Sequence, residues 1–222
     1  MSNGRVRAFI FDLDGTLIDS RLDLVHSVNA MLRETGRAEL PADLIASYVG
    51  HGAPQLMASA LGPAATDCER KQALAIFLKQ YDQQKLNETR PYPGVPEGLR
   101  ALAECGARMA VLTNKPLQLS LEILEAFQLR GFFRSIYGGD SFAAKKPDPT
   151  GVLTILRELR AKPEESAMVG DSDVDMQTAR NAAMVAIGVR YGFGQHDRAS
   201  YPADLYVDSL EELASSVPTG DG

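Results

Sequence analysis

Two aspartates stand one residue apart directly after an apolar segment near the start of the sequence. The predicted strand is Val6–Phe11, Asp12 and Asp14 follow it, and Gly15 comes next. An apolar run of this length predicts a buried strand, and the glycine predicts a turn. Two carboxylates this close repel each other and would repel an anionic ligand. The pair therefore indicates a divalent cation nearby, with one acid ionised and the other protonated.

Polar side chains also follow three later predicted strands. They are Thr113 and Asn114 after Met109–Leu112, Lys146 after Ile136–Tyr137, and Asp171 and Asp175 after Ala167–Val169. Ligands of open α/β sheets bind beyond the carboxyl ends of the strands, so these side chains are expected to meet. Carboxylates, a hydroxyl with backbone amides, and an ammonium would then form an anion site beside a site for a hard cation.

Each of these residues alone also has a structural interpretation. Aspartates after a strand are common helix N-caps, which would explain Asp175. Thr113 and Asn114 fit simple turn chemistry, and Lys146 fits a solvated loop lysine. Coincidence at four successive strand ends explains the pattern poorly, so the combination favours a functional site.

Other motifs that bind cations or nucleotides fit the sequence poorly. The aspartates between Asp171 and Asp175 are spaced like the start of a calcium loop. Met176 stands where that loop needs glycine, and Ala182 stands where it needs glutamate. The sequence has no dinucleotide fingerprint, no P-loop lysine motif and no G-x-S-x-G of a serine hydrolase.

The elements that must position these residues divide into two kinds. From Leu22 to about Leu86 only helical periodicity is found, with Phe77 and Tyr81 on one apolar helix face, and beyond Arg90 strands and helices alternate. Alternation predicts a parallel sheet covered by helices. The expected fold is therefore α/β, a Rossmann-like parallel-sheet core with an all-helical cap inserted after the first strand. Residues 1–15 and 91–222 would form the core and 16–90 the cap, with a frayed tail after Ser215.

Composition restricts the class of protein. The 222 residues are 45% apolar, which is ample for a packed core and argues against global disorder. A net charge of -6 argues against a nucleic-acid surface, and no apolar run has the length of a membrane span. Two isolated cysteines and no signal-peptide pattern indicate a cytoplasmic protein with reduced thiols. We expect a monomer or homodimer that binds neither nucleic acid nor membrane.

Taken together, the four segments resemble the haloacid dehalogenase (HAD) superfamily across essentially the whole chain. The matching segments are Asp12-Leu13-Asp14-Gly15-Thr16, Thr113-Asn114, Lys146-Pro147-x-Pro149, and Gly170-Asp171 to Asp175. The second acid, Asp14, points to the phosphatase branch, because the dehalogenases lack an acid there. The helical insert resembles the small cap domain of this superfamily.

The resemblance implies hydrolysis of a phosphate monoester through an aspartyl-phosphate. Asp12 would be the nucleophile. Asp14 would protonate the departing alkoxide and then deprotonate the water that opens the acyl-phosphate. Asp14 is expected to lie near several carboxylates and to start protonated, whereas metal contact would hold Asp12 ionised.

The resemblance also implies a Mg²⁺ site and a phosphate site. The metal ligands would be the Asp12 carboxylate, the Asp14 backbone carbonyl and Asp171, with Asp175 supporting the site. Mg²⁺ suits few carboxylates together with phosphate oxygens and retained waters. Thr113, Asn114 and Lys146 would bind the phosphoryl group, and the cations would offset the aspartate charges.

Within the superfamily the chain resembles the phosphoglycolate phosphatases. The segments that carry this second resemblance are Asp12–Ser20, Val49–Ala53, Pro91–Val95, Thr113–Pro116 and Gly138–Asp140. The expected reaction is 2-phosphoglycolate to glycolate and phosphate. Alternatives are a sugar or amino-sugar phosphate, pyrophosphate or a nucleotide as substrate, a phosphomutase, or a non-catalytic module that binds a phospho-ligand.

The cap is expected to close over the site and to select the leaving group. Residues 15–20 and 88–93 would be the hinges. Gly50 and Gly52 would permit close backbone approach, and His51, where the family commonly has asparagine, could contact a substrate carboxylate or be an exposed loop residue. Arg21 is a second candidate for that contact.

Overall fold

The structure is a computed structural model that describes residues 6–194, 197 and 199–216. Most of the tail expected to fray after Ser215 lies outside the described residues. The described strands are β1 (Ala8–Phe11), β2 (Ile18–Asp19), β3 (Arg90–Pro91), β4 (Arg108–Leu112), β5 (Ser135–Tyr137), β6 (Ser166–Gly170), β7 (Val185–Val189) and β8 (Leu205–Val207). The predicted strands are all present, with ends shifted by one or two residues.

Six of these strands form one parallel sheet in the order β5-β4-β1-β6-β7-β8. β1 lies at its centre, where Phe9 pairs with Met109 of β4 on one side and with Ala167 of β6 on the other. The chain order reverses around β1, which is the point of an open α/β sheet where ligands bind. The α/β fold predicted from the sequence is confirmed.

Helices cover both faces of the main sheet and form the insert. They are α1 (Arg21–Glu34), α2 (Ala42–Ala46), α3 (Ala53–Leu61), α4 (Asp67–Gln84), α5 (Val95–Glu104), α6 (Leu117–Ala126), α7 (Thr150–Leu159), α8 (Asp173–Asn181) and α9 (Leu210–Ser216). In the part of the chain that the structure describes, none of them has the length and apolar character to cross a membrane.

Alternate residues of β1 enter two different cores. Phe9 and Phe11 pack on the face covered by α5 and α9, and Ala8 and Ile10 pack on the face covered by α7 and α8. All four side chains are fully buried. A strand buried on both faces must be continuously apolar, which is the pattern that marked it in the sequence.

The insert consists of α1 to α4 around a third core. Met31, Met57, Phe77 and Tyr81 are buried there. Helix α4 begins at a capping box in which the Thr66 hydroxyl accepts from the Glu69 backbone N–H. The same cluster includes Leu119 and Phe193 from the α/β part, so apolar contact continues from the cap into the core.

The two linkers between insert and core pair with each other. β2 and β3 form an antiparallel ribbon with Ile18 opposite Pro91 and Asp19 opposite Arg90. The sequence did not predict these strands, because Ile18–Asp19 and Arg90–Pro91 contain a charged residue each and form no apolar run. The division at residues 16–90 stays a prediction, although the ribbon lies at both of its ends.

Candidate active site

Three neighbouring strands bring the predicted residues to one edge of the sheet. Asp12 follows β1, Thr113 follows β4 and Asp171 follows β6, and these strands are adjacent and parallel. The three side chains are buried and line a single cavity between the sheet edge and the cap. The strand order therefore places them together, as the sequence predicted.

Three buried carboxylates form a cluster at this edge. One oxygen each of Asp12, Asp171 and Asp175 lies within 4.8 Å of the others. Burial, and then repulsion within the cluster, raises the pKa of Asp171 well above its usual value. Burial also raises the pKa of Asp12 to about 6, although Lys146 opposes the change. Because these carboxylates resist ionisation, a positive charge must lie nearby if they are to be ionised together.

Lys146 supplies part of that charge. Its Nζ lies 2.8 Å from Asp12 Oδ1 and 2.7 Å from Asp175 Oδ1, and its side chain is 1% exposed. Burial alone would lower the pKa of Lys146, but the two carboxylates outweigh burial and raise it. Lys146 is therefore a fixed ammonium beneath the carboxylates.

The rest of the charge fits a divalent metal ion. Asp12 Oδ1 is buried and has no hydrogen bond from the described residues, because its contact with Lys146 is close but poorly aligned. Around Asp171 the backbone leaves no spare room: a Cβ on Gly15 would lie 2.0 Å from Asp171 Oδ2, and one on Gly192 would lie 2.4 Å from it. Hard carboxylate oxygens that are fixed in place and share little positive charge suit Mg²⁺.

Short bonds hold both oxygens of Asp175, whereas Asp171 accepts one short bond, from the Gly194 N–H, and one long bond of 3.5 Å, from Thr16 Oγ1. Oδ1 of Asp175 accepts from Lys146, and its Oδ2 accepts from Ser172 Oγ at 2.6 Å and from the Ser172 backbone N–H at 3.1 Å. This arrangement is also the capping box that begins α8. Asp175 therefore orients Lys146 and the helix, and its support of a metal site stays a prediction.

Asp14 has a separate environment. Lys115 Nζ donates to its Oδ1 at 2.8 Å and to its Oδ2 at 3.0 Å, and Ser20 Oγ donates to Oδ1. The sequence predicted carboxylates around Asp14, whereas its direct contacts are an ammonium and a hydroxyl. Asp12 and Asp14 therefore contact different partners, although only one residue separates them in the sequence.

Lys115 also joins the core to the cap. Its Nζ donates to the Tyr81 hydroxyl on α4 at 2.6 Å and lies 4.3 Å from the centre of the Tyr81 ring. Burial raises the pKa of Tyr81 to about 12, so the phenol keeps its proton. Sequence reasoning gave neither residue a role. Tyr81 was interpreted as part of a helical core face, and Lys115 was only one residue of a matching segment.

Thr113 and Asn114 lie at the end of β4 as predicted. The Thr113 hydroxyl accepts from the Lys115 backbone N–H at 3.3 Å. The Asn114 side chain donates to the carbonyl oxygens of Gly50 and Lys146 and accepts from the Lys146 N–H. That amide is therefore engaged in holding the loops together, which leaves the backbone N–H of Asn114 for a phosphoryl oxygen.

The cap loop meets the core at its glycines. Gly50 accepts the bond from Asn114, and a Cβ on Gly52 would lie 2.9 Å from the Asn114 backbone oxygen. Both glycines line the cavity, whereas the described cavity lining does not include His51 or Arg21, which are exposed. The structure thus brings Gly50 and Gly52 to the site and leaves the other two candidates at the surface.

The wall of the cavity opposite the carboxylates is mainly apolar. Its large apolar side chains come from the cap and from the α/β part, and they are Leu24, Leu56, Phe77 and Leu78 of the cap with Leu119 and Phe193 of the α/β part. Closure against this wall would exclude water from the carboxylates.

Comparison with known proteins places this geometry among hydrolases. The sequence profile of the haloacid dehalogenase-like hydrolases matches residues 9–189. A phosphoglycolate phosphatase of Nitrosospira multiformis is 38% identical over 218 residues, which are 96% of each chain. A phosphoglycolate phosphatase of Aquifex aeolicus is 37% identical over 188 residues, 85% of this chain and 86% of the relative.

A solved structure agrees with these sequence matches. The crystal structure of a predicted phosphoglycolate phosphatase from Haemophilus somnus superposes with a TM-score of 0.90 at 30% identity. The superposition covers 96% of this chain and 99% of the other.

Proposed function

Because the chain belongs to the haloacid dehalogenase-like hydrolase family, we propose that it hydrolyses a small phosphate monoester through an aspartyl-phosphate on Asp12. The observation that carries the proposal is the separation of the two opening acids. Asp12 lies in the carboxylate cluster with Lys146, whereas Asp14 contacts Lys115 on the cap side. One acid is thus placed for nucleophilic attack and the other for proton transfer.

The first step transfers the phosphoryl group to the protein. A carboxylate oxygen of Asp12 attacks phosphorus, and the bond between phosphorus and the ester oxygen breaks. For this step Asp14 must carry a proton when the substrate binds, and it gives that proton to the departing ester oxygen, so the alcohol leaves neutral. In the second step Asp14 removes a proton from water, which attacks phosphorus and returns Asp12 as a carboxylate.

Groups of the core bind the phosphoryl oxygens during both steps. The Thr113 hydroxyl and the Asn114 backbone N–H lie at the end of β4, and Lys146 Nζ lies beside Asp12. Donors fixed in advance in a buried site stabilise developing charge strongly, typically by about 3–4 kcal/mol for each donor.

Asp12, Asp171 and the Asp14 backbone carbonyl would hold Mg²⁺, with Asp175 behind them. When bound, Mg²⁺ supplies positive charge that offsets the carboxylates and the phosphate dianion. Gly194 N–H donates to Asp171 Oδ2 at 2.6 Å and so helps to orient that ligand.

The proposed substrate is 2-phosphoglycolate. The phosphoglycolate phosphatases of two organisms share more than a third of their residues with this chain over most of its length. A second candidate is another small phosphorylated metabolite such as a sugar phosphate, since the apolar wall of the cavity accepts other leaving groups.

Substitution of the nucleophile tests the covalent scheme. Asp12→Asn is expected to lower kcat at least 10⁴-fold, by analogy with the loss of other essential catalytic groups, because an amide does not attack phosphorus. The matched control is Asp43→Asn, an exposed residue of α2 that should keep wild-type turnover. Phosphate release from a metabolite panel with Mg²⁺ or EDTA is the measurement. Wild-type turnover by Asp12→Asn would exclude the aspartyl-phosphate, and a panel winner other than 2-phosphoglycolate would change only the substrate.

A further inference from the structure

The cavity lining contains one described side chain that carries a positive charge. The charged residues of the lining are Asp12, Asp14, Asp171 and Lys115. Lys146 lies beneath the cluster and is not part of the lining. Among the described lining residues, a second anionic group on a bound substrate would therefore find a positive charge at Lys115 alone.

We propose that Lys115 and Tyr81 form a subsite for the carboxylate of a substrate whose phosphate is on the carbon next to that carboxylate. This inference rests on the proposed phosphatase activity and deepens it, because it assigns the substrate class to two residues. Lys115 comes from the core and Tyr81 from α4 of the cap, so the subsite exists when the two parts are in contact.

The distances around Asp14 let a short leaving group reach Lys115. Lys115 Nζ lies 2.8 and 3.0 Å from the two oxygens of Asp14. The ester oxygen that receives a proton from Asp14 must lie within about 2.7 Å of one of these oxygens, hence within about 6 Å of Nζ. A carboxylate on the adjacent carbon has its oxygens about 3 Å from the ester oxygen, so one of them reaches hydrogen-bond distance of Nζ when the leaving group points toward Lys115.

A substrate carboxylate would take one donor from Asp14. The three N–H groups of Lys115 donate to the two oxygens of Asp14 and to the Tyr81 hydroxyl, so Asp14 receives two bonds from the same ammonium and can give up one of them. Asp14 keeps the bond from Ser20 if Lys115 turns one N–H to the substrate. Tyr81 accepts from Lys115 through its oxygen, and among the described residues no acceptor is found for its hydroxyl proton.

The experiment compares two substrates that differ at the carboxylate. These are 2-phosphoglycolate and ethyl phosphate, which has the same chain length and no carboxylate, each assayed with Mg²⁺. Lys115→Met would disturb Asp14 and lower turnover of both substrates, and that shared loss cancels in the ratio of their kcat/KM values. We expect the ratio to fall about 10- to 100-fold, mainly through KM for 2-phosphoglycolate. Tyr81→Phe keeps the ring and should lower the ratio about threefold.

Lys145→Met is the matched control. Lys145 Nζ lies 3.0 Å from the position of a Cβ on Gly52, at the cap loop, and its side chain is not in the cavity lining. This variant should keep the wild-type ratio. If Lys115→Met does not fold, Lys115→Gln has polar donors of similar length without the charge and is expected to lower the ratio in the same way.

The outcomes separate the inference from the proposed function. If the ratio of the two kcat/KM values is unchanged in the Lys115 variant, or falls in Lys145→Met instead, the subsite is overturned. Hydrolysis of both esters by the wild type would still support the phosphatase activity in that case. Wild-type preference for ethyl phosphate also overturns the subsite. Absence of Mg²⁺-dependent hydrolysis of any ester by the wild type overturns the proposed function, and the subsite with it.

Discussion

Two buried lysines have different partners in this site. Lys146 lies between Asp12 and Asp175, and Lys115 lies between Asp14 and Tyr81. Each lysine holds one of the two opening aspartates, so the charges that would repel each other are balanced separately. The roles of the two acids therefore depend on side chains more than 100 residues away in the sequence.

Removing Lys146 should destabilise the metal-free protein. Lys146→Met leaves buried carboxylates without their counter-charge, and breaking such a pair typically costs about 3–5 kcal/mol. Urea unfolding in EDTA measures the free energy of unfolding. The neighbouring variant Lys145→Met removes a partly exposed lysine with no ion pair among those described, and should change that free energy by about 0.5 kcal/mol or less. Similar losses in both variants would contradict the importance of the buried pair.

Gly15 and Gly62 provide a matched test of the metal site. Both have φ of +80°, but a Cβ on Gly15 would lie 2.0 Å from Asp171 Oδ2, whereas a Cβ on Gly62 would have no atom within 4 Å. Alanine at either position costs about 1–2 kcal/mol of backbone strain. Gly15→Ala must also displace Asp171, so we expect it to need at least tenfold more Mg²⁺ for half-maximal activity. Gly62→Ala should show the wild-type Mg²⁺ requirement. If both variants needed the same higher Mg²⁺ concentration, backbone strain alone would explain the effect.

At the scale of elements, the linkers are fastened by one buried side chain. Asp23 on α1 accepts from the Glu88 N–H at 3.0 Å, the Thr89 N–H at 2.9 Å and the Thr89 hydroxyl at 2.7 Å. Asp23 and Thr89 are fully buried. The start of the insert is thereby tied to its end, beside the ribbon of β2 and β3.

Asp23→Asn tests this connection. An amide in place of the carboxylate turns one acceptor into a donor that faces N–H groups, and losing bonds to a charged acceptor costs about 1.5–3 kcal/mol. We expect urea unfolding to show that loss. Asp43→Asn, in the exposed first turn of α2, should cost less than about 1 kcal/mol. Equal values for the two variants would show that the connection adds nothing to stability.

The elements predicted from the sequence were those with a long enough pattern. β1, β4 and β6 were found because strands buried on both faces are continuously apolar, and α4 was found because Phe77 and Tyr81 repeat at helical spacing. The linker strands were missed because each is short and contains a charged residue, so that neither forms an apolar run. The aspartates, Thr113 and Lys146 stood out by their places after strands.

The partners of Asp14 could not be predicted in this way. The contact of Asp14, Lys115 and Tyr81 joins three segments that are brought together only by the docking of α4 over the sheet edge. No local spacing carries that information. For His51 the sequence suggested more than the structure shows. Its place between two glycines of the cap loop suggested contact with a substrate carboxylate, whereas its side chain is exposed in the structure.

At the scale of the whole molecule, cap and core share one apolar cluster above the carboxylates. Leu119 and Phe193 of the α/β part pack in the cap cluster that contains Leu56 and Phe77. The conformation described here therefore encloses the site, and opening would expose these side chains to water. Metal binding and cap closure are therefore both expected to stabilise the folded protein.

Mg²⁺ should stabilise the protein more at pH 8 than at pH 5. Burial raises the pKa values of Asp12 and Asp171, so the metal-free folded form holds protons more tightly than the unfolded form. The stabilising contribution of Asp12 is present below about pH 4 and is lost as the pH rises through about 6, and that of Asp171 is lost as the pH rises through its own raised pKa. Mg²⁺ competes with these protons, so saturating Mg²⁺ is expected to raise Tm by about 2–4 °C or more at pH 8 and by less at pH 5. Asp171→Asn should show little Mg²⁺ effect at either pH, and an equal effect in wild type at both would contradict the assignment of the ligands.

The pairing of β2 with β3 has a consequence for how the molecule is assembled. Ile18 and Pro91 stand opposite each other, so the chain leaves the α/β part and returns to it within the width of one strand pair, about 5 Å. The helices between them are therefore an insertion that is attached to the α/β part at one place. A two-residue turn from Asp19 to Arg90 would close the ribbon as an ordinary hairpin. The sheet could in this way exchange one lid for another without any change in its own strand order.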